Sequence, residues 1–370
     1  MRVIFIIQHP IEGPTSRYRV YQFLPYLRQH GVEVTVLPFL TSAQLSTVYG
    51  QSRWLHKIII TLGGFIKRLG HILRSRHYDI VYIEREAFPF GPPYFEYLFK
   101  FFGKRLIFDF DDAIYTPSVA YDNLLDNLRD WQKPGKIIRI ANHVIVGSDY
   151  LAHYAISQCD QPAKITVLPT VVNTEHYIPR RAVKNTDSIV IGWIGTPRGT
   201  SYLTQLLPMM HDLAERHSKL KFLFIGAEPF DPEGLPIEFK TWRLEDEIAD
   251  VQSFDIGIMP LTDDEESRGK CGFKLIQYMS VGIPSVCSPI GANNDIIEQG
   301  RSGFFATSPE EWREKLSLLI ESPELRRTFG SYGRAVVERS YSLESAAPQL
   351  LNIFETIMTD TPKDAENPQC

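Results

Sequence analysis

The chain has 370 residues, 44% of them hydrophobic and 22% charged, with a formal net charge of −5. That length exceeds one ordinary core and suits two soluble domains, and the acidic balance gives no support for general nucleic-acid binding. Cys159, Cys271, Cys287 and Cys370 form no C-x-x-C pair, which argues against a zinc site or a disulfide framework and for a reducing compartment.

The first apolar run, "RVIFII", stops at Gln8-His9-Pro10 and reads as a buried strand, too short for a secretory leader. Further short β-branched runs follow: "VEVTVLPF", "DIVYIE", "RLIFDF", "HVIVGS" and "ITVLPT", then "SIVIGWIG", "LKFLFIGA", "FDIGIMPL" and "IPSVCS". Near-continuous apolar strands alternating with helical patterns predict parallel sheets covered on both faces. In the first such unit Val20, Phe23, Leu24 and Leu27 form a helical stripe, which Gly31 ends before a strand. The polar stretch 173–187 breaks the pattern and is the expected linker. The expectation is an α/β chain of two doubly wound, Rossmann-like domains, residues 1–175 and 176–342, with a terminal amphipathic helix over about 343–360 packing back near the first domain. The residues beyond Asp360 are expected to be disordered. No stretch reaches the roughly 18 to 20 apolar residues that span a bilayer. A cytosolic protein follows, with a peripheral place on the inner face of the membrane as a further reading.

Ligands of open parallel sheets sit beyond the carboxyl ends of the strands, and two such domains facing each other would place those loops on one cleft. Arg17 and Arg19, after Gly13 and Ser16, fall in the first such loop; they either clamp an anionic group or form a surface pair at a helix start. His9 reads as structural, with an acceptor contact left open. From Val34 to Tyr78 there is no Asp or Glu, while Arg53, Lys57, Lys67, Arg68, Arg74 and Arg76 are present. Trp54, Ile58, Leu62, Phe65 and Leu69 fall at helical spacing there. Two readings stand: a helix lying on an anionic membrane, or a sheet-covering helix whose apolar stripe is core, with Gly63-Gly64 marking a break. Glu84 and Arg85 read as an ion pair.

At the fourth strand end, "DFDDAIY" brings Asp109, Asp111 and Asp112 together. Three carboxylates would repel and raise at least one pKa, which suits a group that binds an acceptor hydroxyl or shares its proton. Alternatively Asp109 and Asp111, on one side of an extended segment, hold Mg²⁺, or Asp112 caps the next helix. Gly195 and Thr196 lie where backbone can approach a diphosphate, with Arg198 either helping or serving the turn. Trp242 and Arg243 fall near an expected nucleobase pocket, Trp242 being alternatively core. In "RGKCGFKLIQYMSVGIPSV" a helix opening at about Gly272 presents the positive end of its dipole, and Arg268, Lys270 and Lys274 crowd that end. Cations there are unfavourable unless an anion offsets them, and phosphate is the usual one.

The run "DIGIMPL…RGKCGFKLIQYMSVGIPSVCSPIGANNDIIEQGRSGFFA" resembles the C-terminal signature of family 4 glycosyltransferases of GT-B fold. "GWIGTPRG" resembles the start of their donor domain, and "EREAFPFG", "IFDFDDAIY" and "HPIEGPTSRYR" resemble a bacterial branch. The resemblance implies retaining transfer of a sugar from a nucleotide diphosphate donor to an acceptor hydroxyl, in cell-envelope polysaccharide or glycan synthesis, with no cofactor and no metal. Asp111 is taken as catalytic from its carboxylate cluster, where related enzymes often have a histidine followed by aspartate, and the resemblance adds Lys274 and Arg268 to catalysis. It assigns Gly195, Thr196, Lys270, Gly272, Phe273 and Gln277 to the donor, and Ser16, Arg17, Arg19 and Asp112 to a glycan or lipid-linked acceptor. The family's glutamate pair, eight positions apart, is replaced here by Gly269 and Gln277. The Gln277 amide can still bond a hydroxyl, and Glu265 or Glu266 can supply the missing charge. A nucleotide-sugar epimerase and a non-catalytic nucleotide-sugar-binding subunit are the alternatives.

Overall fold

The computed structural model describes residues 1–49, 54–117, 128–179 and 188–359. Arg53, positions 180–187 of the expected linker and the tail from Asp360 lie outside the described residues. The chain divides into two units: Met1–Pro169 together with the chain from Ala346 on, and Thr170–Ser345.

The first unit is a parallel six-stranded sheet in the order β2-β1-β3-β4-β5-β6. Its strands are β1 (Arg2–Ile7), β2 (Glu33–Pro38), β3 (Ile80–Glu84), β4 (Arg105–Phe110), β5 (His143–Val146) and β6 (Ile165–Val167). The central strands are buried on both faces, which is why they read as unbroken apolar runs. The terminal helix Leu343–Thr359 completes this unit, with Phe354 packed against Phe5 and Tyr82 at ring separations of 6.3 and 6.2 Å.

The second unit repeats the design in the order β12-β11-β10-β7-β8-β9, again all parallel. Its strands are β7 (Ile189–Ile194), β8 (Leu220–Ile225), β9 (Ile237–Lys240), β10 (Ile256–Met259), β11 (Ser285–Cys287) and β12 (Gly303–Phe305). No apolar run marks the edge strands β9 and β12 in the sequence. They are three or four residues long and mostly half-exposed, so neither carries an apolar run. The stretch 170–179 belongs to the second unit. Val172 N–H donates to Tyr341 O and Leu343 N–H to Val172 O, and the Arg334 guanidinium binds the carbonyls of Thr174, Tyr177 and Ser280.

The basic segment forms one uninterrupted helix, Trp54–Ser75, so Gly63-Gly64 is no break. Gly64 is there for close approach: a Cβ would come within 2.2 Å of the Phe39 ring. The face turned inward is Gly64, Arg68, Ile72 and Ser75. The core reading of Trp54, Ile58, Leu62, Phe65 and Leu69 is therefore overturned, each being at least 40% exposed. Arg68, expected to face a membrane, is buried instead. Its guanidinium donates to the carbonyls of Ile7 (2.6 Å), Ala87 (2.7 Å) and Leu37 (2.8 Å), tying the helix to two strand ends.

Candidate functional site

In the second unit the site is built largely from backbone. β7 runs out at Ile194 into Gly195-Thr196 and a tight turn, Pro197–Gly199. A Cβ on Gly195 would lie 2.3 Å from the Trp193 ring and 3.0 Å from Lys274 Cε, so indole, glycine and lysine stem are in contact. Lys274 Nζ stands 5.4 Å from the centre of the Trp193 ring, a cation–π geometry that holds the ammonium at this strand end. β8 ends at Gly226 (φ +73°), where a Cβ would come within 2.2 Å of Gly195 O and 3.3 Å of Trp242 Cβ.

The helix Phe273–Ser280 starts from Gly272, which is left-handed (φ +65°) and provides no capping side chain. A side chain there would also strike Ile296 Cδ1 at 2.3 Å. Beside it lies a residue that the sequence reading missed, Asn293. It is buried, donates its amide to Ser288 O at 2.9 Å, and keeps Oδ1 without a hydrogen-bond partner, 3.4 Å from where a Gly272 Cβ would be. An orphaned buried acceptor at a helix N-terminus that carries nearby cations fits a polar ligand. Lys270 pairs with Glu266 at 3.2 Å and lies 5.8 Å from the centre of the Tyr202 ring. Arg268 is half-exposed and pairs with Asp263 at 2.7 Å.

The geometry revises the expectation for Gln277. Its side chain is buried and its amide N–H donates to Tyr177 Oη at 3.1 Å. Tyr177 in turn donates to Glu247 Oε1 at 2.6 Å, and Trp242 Nε1 donates to Glu247 Oε2 at 2.8 Å. The carboxylate linked to Gln277, through Tyr177, is thus Glu247, while Glu266 is engaged with Lys270. Trp242 is half-buried and oriented by that carboxylate, and Arg243 points outward to Glu245. Tyr177 and Glu247 are 70 residues apart, so no local motif announces them.

In the first unit the strand ends carry charge, and most of it is neutralised internally. Arg19 is buried; its guanidinium grips both carboxylate oxygens of Asp109 and donates to Leu168 O at 2.6 Å. An acceptor contact from Arg19 is therefore replaced by a structural ion pair. Asp109, with both oxygens engaged, is withdrawn from the Mg²⁺ pairing with Asp111. Ser16 is also interior: its hydroxyl donates to Glu84 Oε2 at 2.7 Å and accepts from His9 N–H, which fixes the loop after β1. Arg17 folds back onto its own loop, bonding the carbonyls of Ile11 and Glu12 at 3.3 Å.

Glu84 takes Ser16 and the Gln8 N–H, while Arg85 reaches Asp112 at 2.9 Å. The expected Glu84–Arg85 pair is thus replaced by Arg85–Asp112, and the Asp112 carboxylate serves that pair rather than a helix cap. Arg85 is left-handed (φ +63°), a conformation costing about 1–2 kcal/mol in a side-chain-bearing residue. Glu84 keeps Oε1 buried without a hydrogen-bond partner and burial raises its pKa, and Asp111 likewise escapes neutralisation. It is buried, its Oδ1 has no hydrogen-bond partner, and burial together with the neighbouring Asp112 pushes its pKa up to about 8. Burial and the Arg85 charge push His9 down to about 4, so it is neutral at pH 7.

Residues 188–322 match the family model described as "Glycosyl transferases group 1", and residues 17–176 that of "Glycosyltransferase Family 4". Spore coat protein SA of Bacillus subtilis (strain 168) is 25% identical over 283 residues, 66% of this chain and 73% of that protein. Among solved structures, the sucrose-phosphate synthase of Thermosynechococcus elongatus superposes with a TM-score of 0.72 at 15% identity, covering 98% of this chain and all of that one. Anabaena HepE, solved in complex with UDP and glucose, gives 0.66 at 14% identity over 96% of this chain and 100% of that one. At these identities the structural likeness is one of fold.

Proposed function

We propose a reaction for a chain that belongs to the family 4 glycosyltransferases of GT-B fold: transfer of a sugar, with retention, from a nucleoside diphosphate sugar to an acceptor hydroxyl. The carrying observation is the seat around Gly272, where an uncapped left-handed glycine, the Lys274 ammonium over Trp193 and the bare backbone of Gly195 converge. HepE's complex with UDP and glucose supports a nucleoside diphosphate donor. The donor diphosphate lies on the N-terminus of the Phe273 helix and the Gly195-Thr196 backbone, with Lys274, Lys270 and Arg268 around it. Trp242, held by Glu247, walls the nucleoside side, and Asn293 Oδ1 accepts from a donor hydroxyl.

As the bond from the anomeric carbon to the diphosphate oxygen breaks, negative charge grows on the leaving group. Fixed N–H dipoles and Lys274 stabilise that charge more than the ground state. The acceptor oxygen forms the new bond and gives up its proton, and the ionised form of Asp111, a buried carboxyl just beyond β4 with a vacant oxygen and a raised pKa, takes it. Asp112, Arg85 and the Arg17 loop frame the acceptor; Ser16 and Arg19 hold that frame from behind. The acceptor is a glycan or lipid-linked precursor of envelope polysaccharide, met at a membrane surface.

A panel of nucleotide sugars followed by thermal unfolding tests the donor half, because a donor at about 100 times its Kd adds about 2.7 kcal/mol. No stabilisation by any of them would remove the donor seat. For the acceptor half, Asp111→Asn is expected to leave donor binding unchanged and to lower transfer about 10²- to 10⁴-fold. Unchanged transfer would exclude Asp111 as the proton acceptor.

A further inference from the structure

The helix Trp54–Ser75 has three faces rather than two. At 100° per residue the inward residues Gly64, Arg68, Ile72 and Ser75 fall within about 80° of one another. Roughly 100° around the helix from their centre lie the cations Lys67 and Arg74, and beyond them an apolar stripe. Leu55, Ile59, Leu62, Ile66, Leu69 and Leu73 make up the apolar stripe, and each is 44–68% exposed. The helix is about 33 Å long at 1.5 Å per residue, so this is a continuous exposed hydrocarbon ribbon. A surface helix of a soluble protein buries such a ribbon; here the buried face is a different one, anchored by Arg68 to three backbone carbonyls.

We infer that this ribbon is seated in the interface of an anionic phospholipid bilayer, with Lys67 and Arg74 on lipid headgroups and the six aliphatic side chains among the acyl chains just below them. This deepens the envelope-acceptor reading above and rests on it. Charge complementarity selects the occupant. No acidic residue occurs from Val34 to Tyr78 in a chain whose net charge is −5, so the patch is locally cationic against the trend of the whole. Among the described residues no helix is long and apolar enough to cross a membrane, and the contact is therefore interfacial. The neighbouring helix, packed on this one through Phe65 and Phe95 (5.2 Å between ring centres), exposes Tyr94, Tyr97 and Phe101, which suits the headgroup zone.

The test is co-sedimentation of the full chain with vesicles of phosphatidylcholine alone or mixed with phosphatidylglycerol. Wild type is expected to sediment with the mixed vesicles only. Lys67→Glu with Arg74→Glu should weaken partition at least about 25-fold, since each cation near an anionic surface is worth about fivefold. Leu62→Asp with Ile66→Asp should release the protein altogether. All four positions are exposed, and the shift in melting temperature with a nucleotide sugar, measured without vesicles, should be the same in every variant. That second readout separates this inference from the donor reading, which would fail there while vesicle binding persisted. Wild type remaining soluble with both vesicle types overturns the inference, as does unchanged sedimentation of the Leu62→Asp/Ile66→Asp protein. A dimer without lipid that the same pair of substitutions dissolves would assign the ribbon to a second copy of the chain instead.

Discussion

The two units end their sheets in opposite ways. Around β7 and β8 the second unit presents glycine, helix terminus and a lysine laid on an indole, so its electrostatics come from backbone dipoles held by packing. Around β1, β3 and β4 the first unit crowds in Glu84, Arg85, Asp109, Asp111, Asp112, Arg17 and Arg19, and cancels most of that charge in buried or half-buried pairs. A leaving diphosphate brings its own charge and needs fixed donors. A neutral hydroxyl brings none and needs one basic group kept apart from its neighbours. The difference teaches that charge in the first unit is mainly architecture, with only Asp111 and Glu84 keeping a vacant buried carboxyl oxygen among the described residues at its strand ends.

Three substitutions probe that contrast. The largest effect is expected from Arg19→Ala, which strands Asp109 as a buried, uncompensated charge and should cost about 3–5 kcal/mol of stability. Urea unfolding measures it, and a change below 1 kcal/mol would mean that the pair is not structural. Next comes Lys274→Ala, expected to lower turnover about 10²- to 10³-fold with little change in unfolding midpoint. Wild-type kinetics with the cognate donor would take Lys274 out of the seat. The third effect is a change of slope. Asp111 has its folded pKa raised to about 8 from an ordinary 3.8, so its contribution to stability is fully present below pH 4 and is lost as pH rises through about 8. Asp111→Asn removes that dependence, and its melting temperature relative to wild type should rise between about pH 5 and 8 and level off above that. Parallel curves would show that Asp111 is ionised normally.

The strands were legible wherever both faces are covered, as in "RVIFII" and "DIVYIE", because burial leaves an unbroken apolar run. It fails at the edges, where "IEFK" and "GFF" are half wet. The seat around Gly272 was legible because its parts lie within a few residues: a glycine, a helix start and cations. Its supports were not. Asn293, Tyr177 and Glu247 reach it only through tertiary pairing, and Arg19 finds Asp109 across 90 positions. Lys67 and Arg68 show the same limit at the smallest scale. They are adjacent in sequence and 100° apart on the helix, so one faces solvent and the other is sealed against carbonyls.

The division of the chain at Pro169 and Ser345 also has a consequence for the order of events on the ribosome. The second unit is one uninterrupted stretch, whereas the first lacks its last helix until the second has been synthesised. After Pro169 the ribosome must still add the 190 residues from Thr170 to Thr359, which at 5–20 residues per second takes roughly 10 to 40 s. During that interval Phe5 and Tyr82 wait without Phe354. The usual N-to-C order of completion is thereby reversed: the second unit has its full sequence at Ser345, and the first only after the helix that carries Phe354 has followed.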